Sequence, residues 1–370
     1  MNMNIGIFLL IAIMIPVFIS FMFIPYWTRR TESFGVSIPE KVYHHFEIKA
    51  MRKQYTIIMG MLSVVVLGVF LLLSTMIKAS ENALSILFSC FILIYIVFGF
   101  FVYLRYHNKM KLRKGEENWS GEKSQLVVVD TGFHKQKITF SNLWFLLPFT
   151  VAIVTMIMML NAYQQIPDRI PMQYNFSGEV TNYADKSYRS VLFMPIMQVY
   201  LTLLFLLINT IISKAKQQVS AENPEKSMRQ NITFRRRWSA FTIISGIMLI
   251  LMFSLLQLSY IYPINQQVLM IVPLVLTFAI VIGAIVLSVT TGQGGSRVKM
   301  GKGEDGTMID RDDDRYWKLG QFYFNKNDPA LFLEKRFGVG WTNNWAHPLS
   351  WIILIAIIGI AVGLPILLGV

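Results

Sequence analysis

Five histidines, a run of aspartates and a glycine-rich run are the residues of this chain whose types could do chemistry. The histidines are His44, His45, His107, His134 and His347. Zinc sites on helices place two histidines four residues apart with a glutamate between them. No such pair occurs, and the adjacent His44 and His45 would point to different faces of a helix. Ordinary surface or interfacial histidines are expected. Asp310, Asp312, Asp313 and Asp314 suggest a calcium loop, which needs glycine at its sixth position and glutamate at its twelfth. Arg315 and Gln321 stand there, so a solvated helix start is the expectation. The run from Gly292 to Arg297 lacks the Gly-Lys-Ser/Thr ending of a phosphate loop and reads as a flexible linker. A single cysteine, Cys90, excludes a disulfide framework and a cysteine-based zinc site within the chain. No catalytic constellation is left. No enzyme activity, cofactor or metal is expected.

The elements that carry these residues are dominated by apolar runs. Of the 370 residues, 54% are hydrophobic and 15% charged, against about a quarter charged in soluble domains. The apolar core of a bilayer is about 30 Å thick and needs roughly 20 helical residues. Eight stretches qualify: Ile5–Trp27, Tyr55–Ile77, Ala83–Leu104, Leu143–Leu160, Ser190–Ile212, Ser239–Tyr262, Val268–Val289 and Leu349–Gly369. None contains Asp, Glu, Lys or Arg. The first lacks a basic start and a small-residue cleavage pattern, so an uncleaved helix is expected rather than a signal peptide. The fold class is therefore an all-α integral membrane protein of about eight spans, in a multi-pass arrangement.

The net charge of +13 would in a soluble chain suggest nucleic acid. Beside these spans it indicates orientation instead, and no direct nucleic-acid partner is expected. Residues 28–54, 105–142, 213–237 and 290–348 hold 6, 8, 7 and 9 basic residues, or 30 of the 34. That side should be the cytoplasm, with both termini outside. The chain then divides into 1–142 (three spans and two basic loops), 143–212 (two spans around an outer loop 161–189), 213–289, the inner loop 290–348, and the last span 349–370. Loop lengths repeat in the two halves, and Pro39-Glu40-Lys41 and Pro224-Glu225-Lys226 precede basic clusters in each. A parallel four-plus-four repeat and coincidence both fit.

Within the inner loops, Ser37-Ile38-Pro39-Glu40 fits a capping box. It would open a short helix with Val42, Phe46 and Ala50 on one face. Gln125–Val129 and Lys137–Phe140 read as a small cytoplasmic hairpin. The polar residues within spans, Gln198, Asn209 and Gln257, are of the kind that bond helix to helix. The absence of intramembrane charge disfavours coupled transport.

The outer loop runs from Gln165-Ile166-Pro167 through Asn175-Phe176-Ser177-Gly178 to Asp185-Lys186-Ser187. Its prolines fix extended or turn geometry and Gly178 suits a turn. This stretch resembles a domain of unknown function of Gram-positive membrane proteins, which also forms the N-terminal part of the Sdp-type bacteriocin immunity proteins (the SdpI family). Pro171, Asn175, Gly178 and Lys186 match its pattern, whereas Gln173 stands where histidine is usual. The departure at Gln173 argues against a metal or pH role there. The last inner loop, with Asp313-Asp314-Arg315-Tyr316-Trp317-Lys318, Phe322-Tyr323-Phe324-Asn325, Asp328-Pro329 and Glu334 to Thr342, resembles a second uncharacterised module that often accompanies the first.

These resemblances imply a non-enzymatic cell-membrane protein, immunity-like or signalling, that senses or resists an extracellular peptide or envelope stress. The candidate outer ligand surface is Pro171, Gln173, Tyr174, Asn175, Gly178 and Lys186. The candidate surface for a cytoplasmic regulator is Tyr316, Trp317, Phe322, Tyr323, Arg336 and Trp341. The alternative is a transporter or lipid-handling permease without charged coupling residues. The alternative for the outer loop is a compact cap over the bundle, and for the inner aromatics it is seating of the loop against the membrane surface.

Overall fold

The computed structural model describes residues 3–76, 81–117, 119, 137–174, 179–218, 224–298 and 314–369. Eight long helices run through them: α1 (Met3–Trp27), α2 (Phe46–Met76), α3 (Glu81–Glu116), α4 (Leu146–Asn161), α5 (Tyr188–Lys214), α6 (Pro224–Leu258), α7 (Gln266–Thr291) and α8 (Pro348–Leu368). All eight are long and apolar enough to cross a bilayer. Their outward faces carry large apolar side chains, among them Met61, Val64, Ile86 and Ile355, each more than 60% exposed. Contiguous apolar surface of this extent is not sustained in water, and lipid is its natural solvent. The chain is an all-α multi-span membrane protein.

Three helices extend well beyond the apolar runs. α2 starts nine residues before Tyr55, α3 continues to Glu116, and α6 begins at Pro224. These extensions are polar and helical, so hydropathy marks where the membrane ends but not where the helix does.

The described residues form two compact units that interleave along the sequence. The first comprises residues 1–137, 215–235 and 285–347, and the second 138–214, 236–284 and 348–370. In the first, α1, α2 and α3 pack on one another. Beyond their ends lie three two-stranded antiparallel ribbons: β1 (Glu32–Ser33) with β2 (Val36–Ser37), and, taken out of chain order, the 317–323 and 332–343 pairs described below. In the second unit α4 packs on α5, and α5 on α8. Between α4 and α5 stands a longer hairpin of β3 (Arg169–Tyr174) and β4 (Val180–Asp185).

In the second unit two of the three expected polar groups, Gln198 and Asn209, bond from one element to another, and Gln257 does not. Gln198 on α5 is fully buried. Its amide donates to Ile250 O at 2.9 Å and Ser254 Oγ at 2.8 Å on α6, and it accepts from Thr155 on α4 at 3.0 Å. Asn209 donates to Asn142 at 2.7 Å and accepts from Ser239 at 2.6 Å. In a medium without water such bonds leave no polar group of these side chains unmet. Gln257 is buried too, and its amide donates to Phe253 O on its own helix.

Three local expectations are corrected. Ser37 does not cap a helix. It lies in β2, and a 3-10 turn at Glu40–His44 precedes α2. Ser37 Oγ accepts instead from Lys114 Nζ at 2.9 Å, a long-range bond to an ammonium that displaces the local cap. The proposed common face therefore splits, with Val42 buried and Phe46 85% exposed. The run Gly292–Arg297 is no linker where it is described. Gln293–Gly295 forms a buried 3-10 turn, with Gly292, Gly294 and Gly295 at positive φ. The first strand and turn of the cytoplasmic hairpin lie outside the described residues, as do His134, Asp310, Asp312 and Asp313. Lys137–Phe140 is described and has no strand pairing there; Phe140 N donates to Ser239 Oγ at 2.9 Å.

Candidate functional site

The hairpin β3–β4 is built on an apolar seat. Ile170 alternates inward from β3 and is fully buried among Met159, Ile166, Val191 and Tyr260, with Tyr163, Met172 and Ile261 around them. The pairing runs from Arg169 opposite Asp185 to Tyr174 opposite Val180, with irregular register around Gln173. Such irregularity adds twist and re-aims side chains. Pro171, paired with Tyr183 just before the register shift, is tolerated because both strands of a two-stranded ribbon are edge strands, and its carbonyl lies 3.4 Å from the Tyr260 hydroxyl.

Of the residues expected to form a ligand surface, Gln173 and Tyr174 are exposed on β3. Asn175 and Gly178 lie outside the described residues. Lys186 turns into the loop, donating to Ile166 O at 2.7 Å and standing 5.1 Å from the Tyr163 ring centroid. It therefore ties β4 back to the end of α4. Two aromatics not singled out from sequence complete the surface. Tyr183 on β4 is 50% exposed. Tyr188, 61% exposed, stacks on Tyr163 with centroids 4.4 Å apart. The signal available for both was that tyrosines recur through the loop. The loop thus presents Tyr183 and Tyr188 on a fixed frame, with Tyr174 at its edge bonded to Ser259.

The first unit carries a second concentration of functional groups. β5 (Trp317–Lys318) pairs with β6 (Phe322–Tyr323), and β7 (Phe332–Glu334) with β8 (Trp341–Asn343). Trp317, Tyr323 and Leu333 form its small apolar core, with Tyr316 against them. Tyr323 donates to Asp328 Oδ2 at 2.8 Å, and Lys216 reaches the same oxygen at 2.5 Å. Burial works against the charge on Asp328, but the bonds from Lys216, Ala330 and Tyr323 outweigh it and hold its pKa below the ordinary value.

Of the residues expected on a regulator-binding surface, Trp317, Tyr323 and Arg336 face inward, and Tyr316 and Trp341 are half-buried. Trp341 packs on Phe234, with centroids 5.2 Å apart. Phe322 is 42% exposed, and Phe324 joins it at the surface.

Beneath this loop lies a network of buried charge that sequence reasoning missed. Glu334 is wholly inaccessible and receives Arg29 on one oxygen. On the other it receives Asn231 at 2.6 Å and Arg235 at 3.1 Å. Arg336 pairs with Asp314, which also receives Lys114 at 2.5 Å. Every partner is distant in sequence, and no local pattern announces such pairs.

Glu32 stands beside this network, 4.0 Å from Arg336, with one carboxylate oxygen unpartnered among the described residues. Burial raises its pKa to about 7, against the pull of Arg29 and Arg336 and with the push of Glu334 and Asp314. A raised carboxylate favours the neutral form in the fold. Its contribution to stability therefore falls as pH rises from about 4.5 to above 7. The whole effect is on the order of 3 kcal/mol. Glu32→Gln is expected to raise the melting temperature at about pH 8 and to change it little at about pH 5. Equal shifts at the two pH values would contradict this account.

The eight spans and these two loops define a multi-span membrane protein with the β3–β4 hairpin and a charged, strand-containing loop module among the described residues. Residues 150–199, which hold that hairpin, match the Domain of unknown function (DUF1648). Residues 326–351, which hold β7 and β8, match the Family of unknown function (DUF5808). The chain carries both domains. No curated protein and no solved structure matches it.

Proposed function

We propose that this chain is a non-enzymatic protein of the cell membrane that senses or resists an extracellular peptide, in the manner of an immunity or signalling protein. The observation that carries the reading is the hairpin β3–β4, whose buried seat leaves Tyr183 exposed, with Tyr188 exposed beside it at the start of α5 and Tyr174 at its edge, bonded to Ser259. Tyrosines give large amphipathic contact at a small entropic cost, and a rigid frame reduces that cost further. Asp168, Arg169, Glu179, Asp185, Lys186 and Arg189 balance in charge across the loop. A ligand would then be held by aromatic and apolar contact more than by charge. Orientation by the basic loops puts this hairpin outside and the module around Phe322 and Phe324 inside, where it would meet a cytoplasmic regulator.

The bonds of Gln198 and Asn209 between helices also favour this reading over a permease, which would turn such groups toward substrate. Cells lacking the gene, challenged with a panel of membrane-active peptides, are expected to become more sensitive to at least one. Wild-type chain should restore resistance, and a Tyr174→Ala/Tyr183→Ala chain expressed at the same level should not. Unchanged sensitivity across the panel would count against the immunity reading.

A further inference from the structure

We propose that Glu32 is a proton switch in the first unit: when it ionises it draws Arg336 away from Asp314, and the segment that begins at Asp314 loosens. The switch is independent of any ligand at β3–β4.

Two carboxylates here compete for one guanidinium. Arg336 is buried and pairs with Asp314, while its Nε stands 4.0 Å from a Glu32 oxygen, too far for a hydrogen bond. The other Glu32 oxygen is buried with no hydrogen-bond partner among the described residues. This geometry suits a protonated acid, because a buried carboxylate that is charged and unpaired is not sustained. The two acids are unequal. The Glu32 side chain is 7% exposed and that of Asp314 is 28% exposed. Asp314 also receives Lys114 at 2.5 Å and the Ser37 amide at 3.2 Å. Water and these two donors can hold Asp314 charged after Arg336 leaves, whereas ionised Glu32 needs the guanidinium.

The other charged groups around Glu32 are engaged elsewhere. Arg29, just beyond α1, is held by Glu334 and Gln218. Glu334 on β7 also receives Arg235 from α6. His107 on α3 is bonded at Phe34 O. The 3-10 turn packed on β1 carries Glu40, which faces Arg30, and Lys41 and His44, which are exposed. Burial opposes the charge on Glu32 most, Arg29 and Arg336 favour it, and Glu334 and Asp314 oppose it, so the proton leaves at about pH 7. That value lies within the physiological range. Arg336 carries the change into the loop module. Its guanidinium lies 5.0 Å from the centroid of the Trp317 ring, and Trp317 forms the module's core with Tyr323 and Leu333. Movement of the guanidinium towards Glu32 takes the cation from both Asp314 and that ring.

The test uses the full chain purified in neutral detergent. Amide hydrogen exchange of peptides from residues 314–323 is compared between wild type and Glu32→Gln at about pH 6 and about pH 8. Comparison of the two chains at one pH cancels the effect of pH on exchange itself. At the lower pH the two should be equally protected. At the higher pH the wild type should exchange roughly fivefold faster or more than Glu32→Gln, an isostere of the protonated acid. A second readout follows the proton directly. The infrared band of a protonated carboxylic acid, assigned by its absence from Glu32→Gln, should fade with a midpoint at about pH 7. Asp314→Asn frees Arg336 for Glu32 and should lower that midpoint by about one unit or more. Equal exchange in wild type and Glu32→Gln at the higher pH, or a midpoint that Asp314→Asn leaves unchanged or raises, would overturn the switch.

Discussion

Glu334→Gln is expected to destabilise the first unit by about 3–5 kcal/mol, the range for removing one partner of a buried ion network. Glu334 is 0% exposed and Arg235 1%. The carboxylate is the common acceptor for Arg29, Arg235 and Asn231. Glutamine keeps the volume and one acceptor but removes the charge that offsets two guanidiniums. Arg235 cannot reach water in the packed state and is further fixed by Asn231 at 2.7 Å and Ala215 O at 2.9 Å, whereas Arg29 keeps only 12% exposure. Thermal unfolding in detergent, followed by tryptophan fluorescence, should show the loss, since Trp317 and Trp341 report on the same unit. Glu225→Gln is the contrast. Its pair with Arg229 is 2.5 Å long but about two-thirds exposed on both sides, so a change under about 1 kcal/mol is expected. Similar losses for both substitutions would mean that the buried network carries no special weight.

Gly35→Ala is expected to be as damaging by a different route. Gly35 has φ +76°, and a Cβ there would meet the Gly320 carbonyl oxygen at 2.4 Å and the Tyr103 hydroxyl at 2.6 Å. Tyr103 has no room to yield. Its hydroxyl donates to Leu319 O at 2.8 Å, and its ring lies 4.4 Å from Phe337. Gly320 is at φ +68° and abuts His107 in the same way. His107 Nδ1 is 2.8 Å from Phe34 O, which fixes the turn from the other side. A methyl group at either glycine must separate β1–β2 from the 319–320 turn, at several kcal/mol. Limited proteolysis of the detergent-purified chain should show the 314–347 segment becoming susceptible in Gly35→Ala and not in Gly115→Ala, where a Cβ meets nothing within 4 Å. Equal protection of that segment in the two variants would contradict the close approach.

The spans were legible because lipid imposes a simple rule on the sequence. A helix there must be apolar for about 20 residues, and α1, α5, α7 and α8 begin and end within two residues of the apolar runs. The inner ends of α2, α3 and α6 were not legible, because beyond the bilayer a helix is held by packing and capping that hydropathy does not register. The hairpin seat was half legible. Ile166 and Ile170 could be read as inward, but Tyr260 comes from a distant segment. The charged network was hidden altogether. Arg29, Asn231, Arg235 and Glu334 are separated by up to 305 positions, and each alone looks like an ordinary surface residue. The aromatic run at Trp317 and Tyr323 looked like a surface for the same reason, since sequence does not distinguish a loop's core from its exterior.

The central claim is that β3–β4 is an exterior surface that meets a peptide. Cys90 is the only cysteine, so a Cys90→Ser background makes a single introduced thiol readable. With Tyr183→Cys in that background, the measurement is the rate of labelling of intact cells by a membrane-impermeant maleimide, with and without the peptide to which the deletion strain is sensitive. The account predicts prompt labelling that the peptide slows. Labelling that requires permeabilised cells, or a rate indifferent to the peptide, would contradict it.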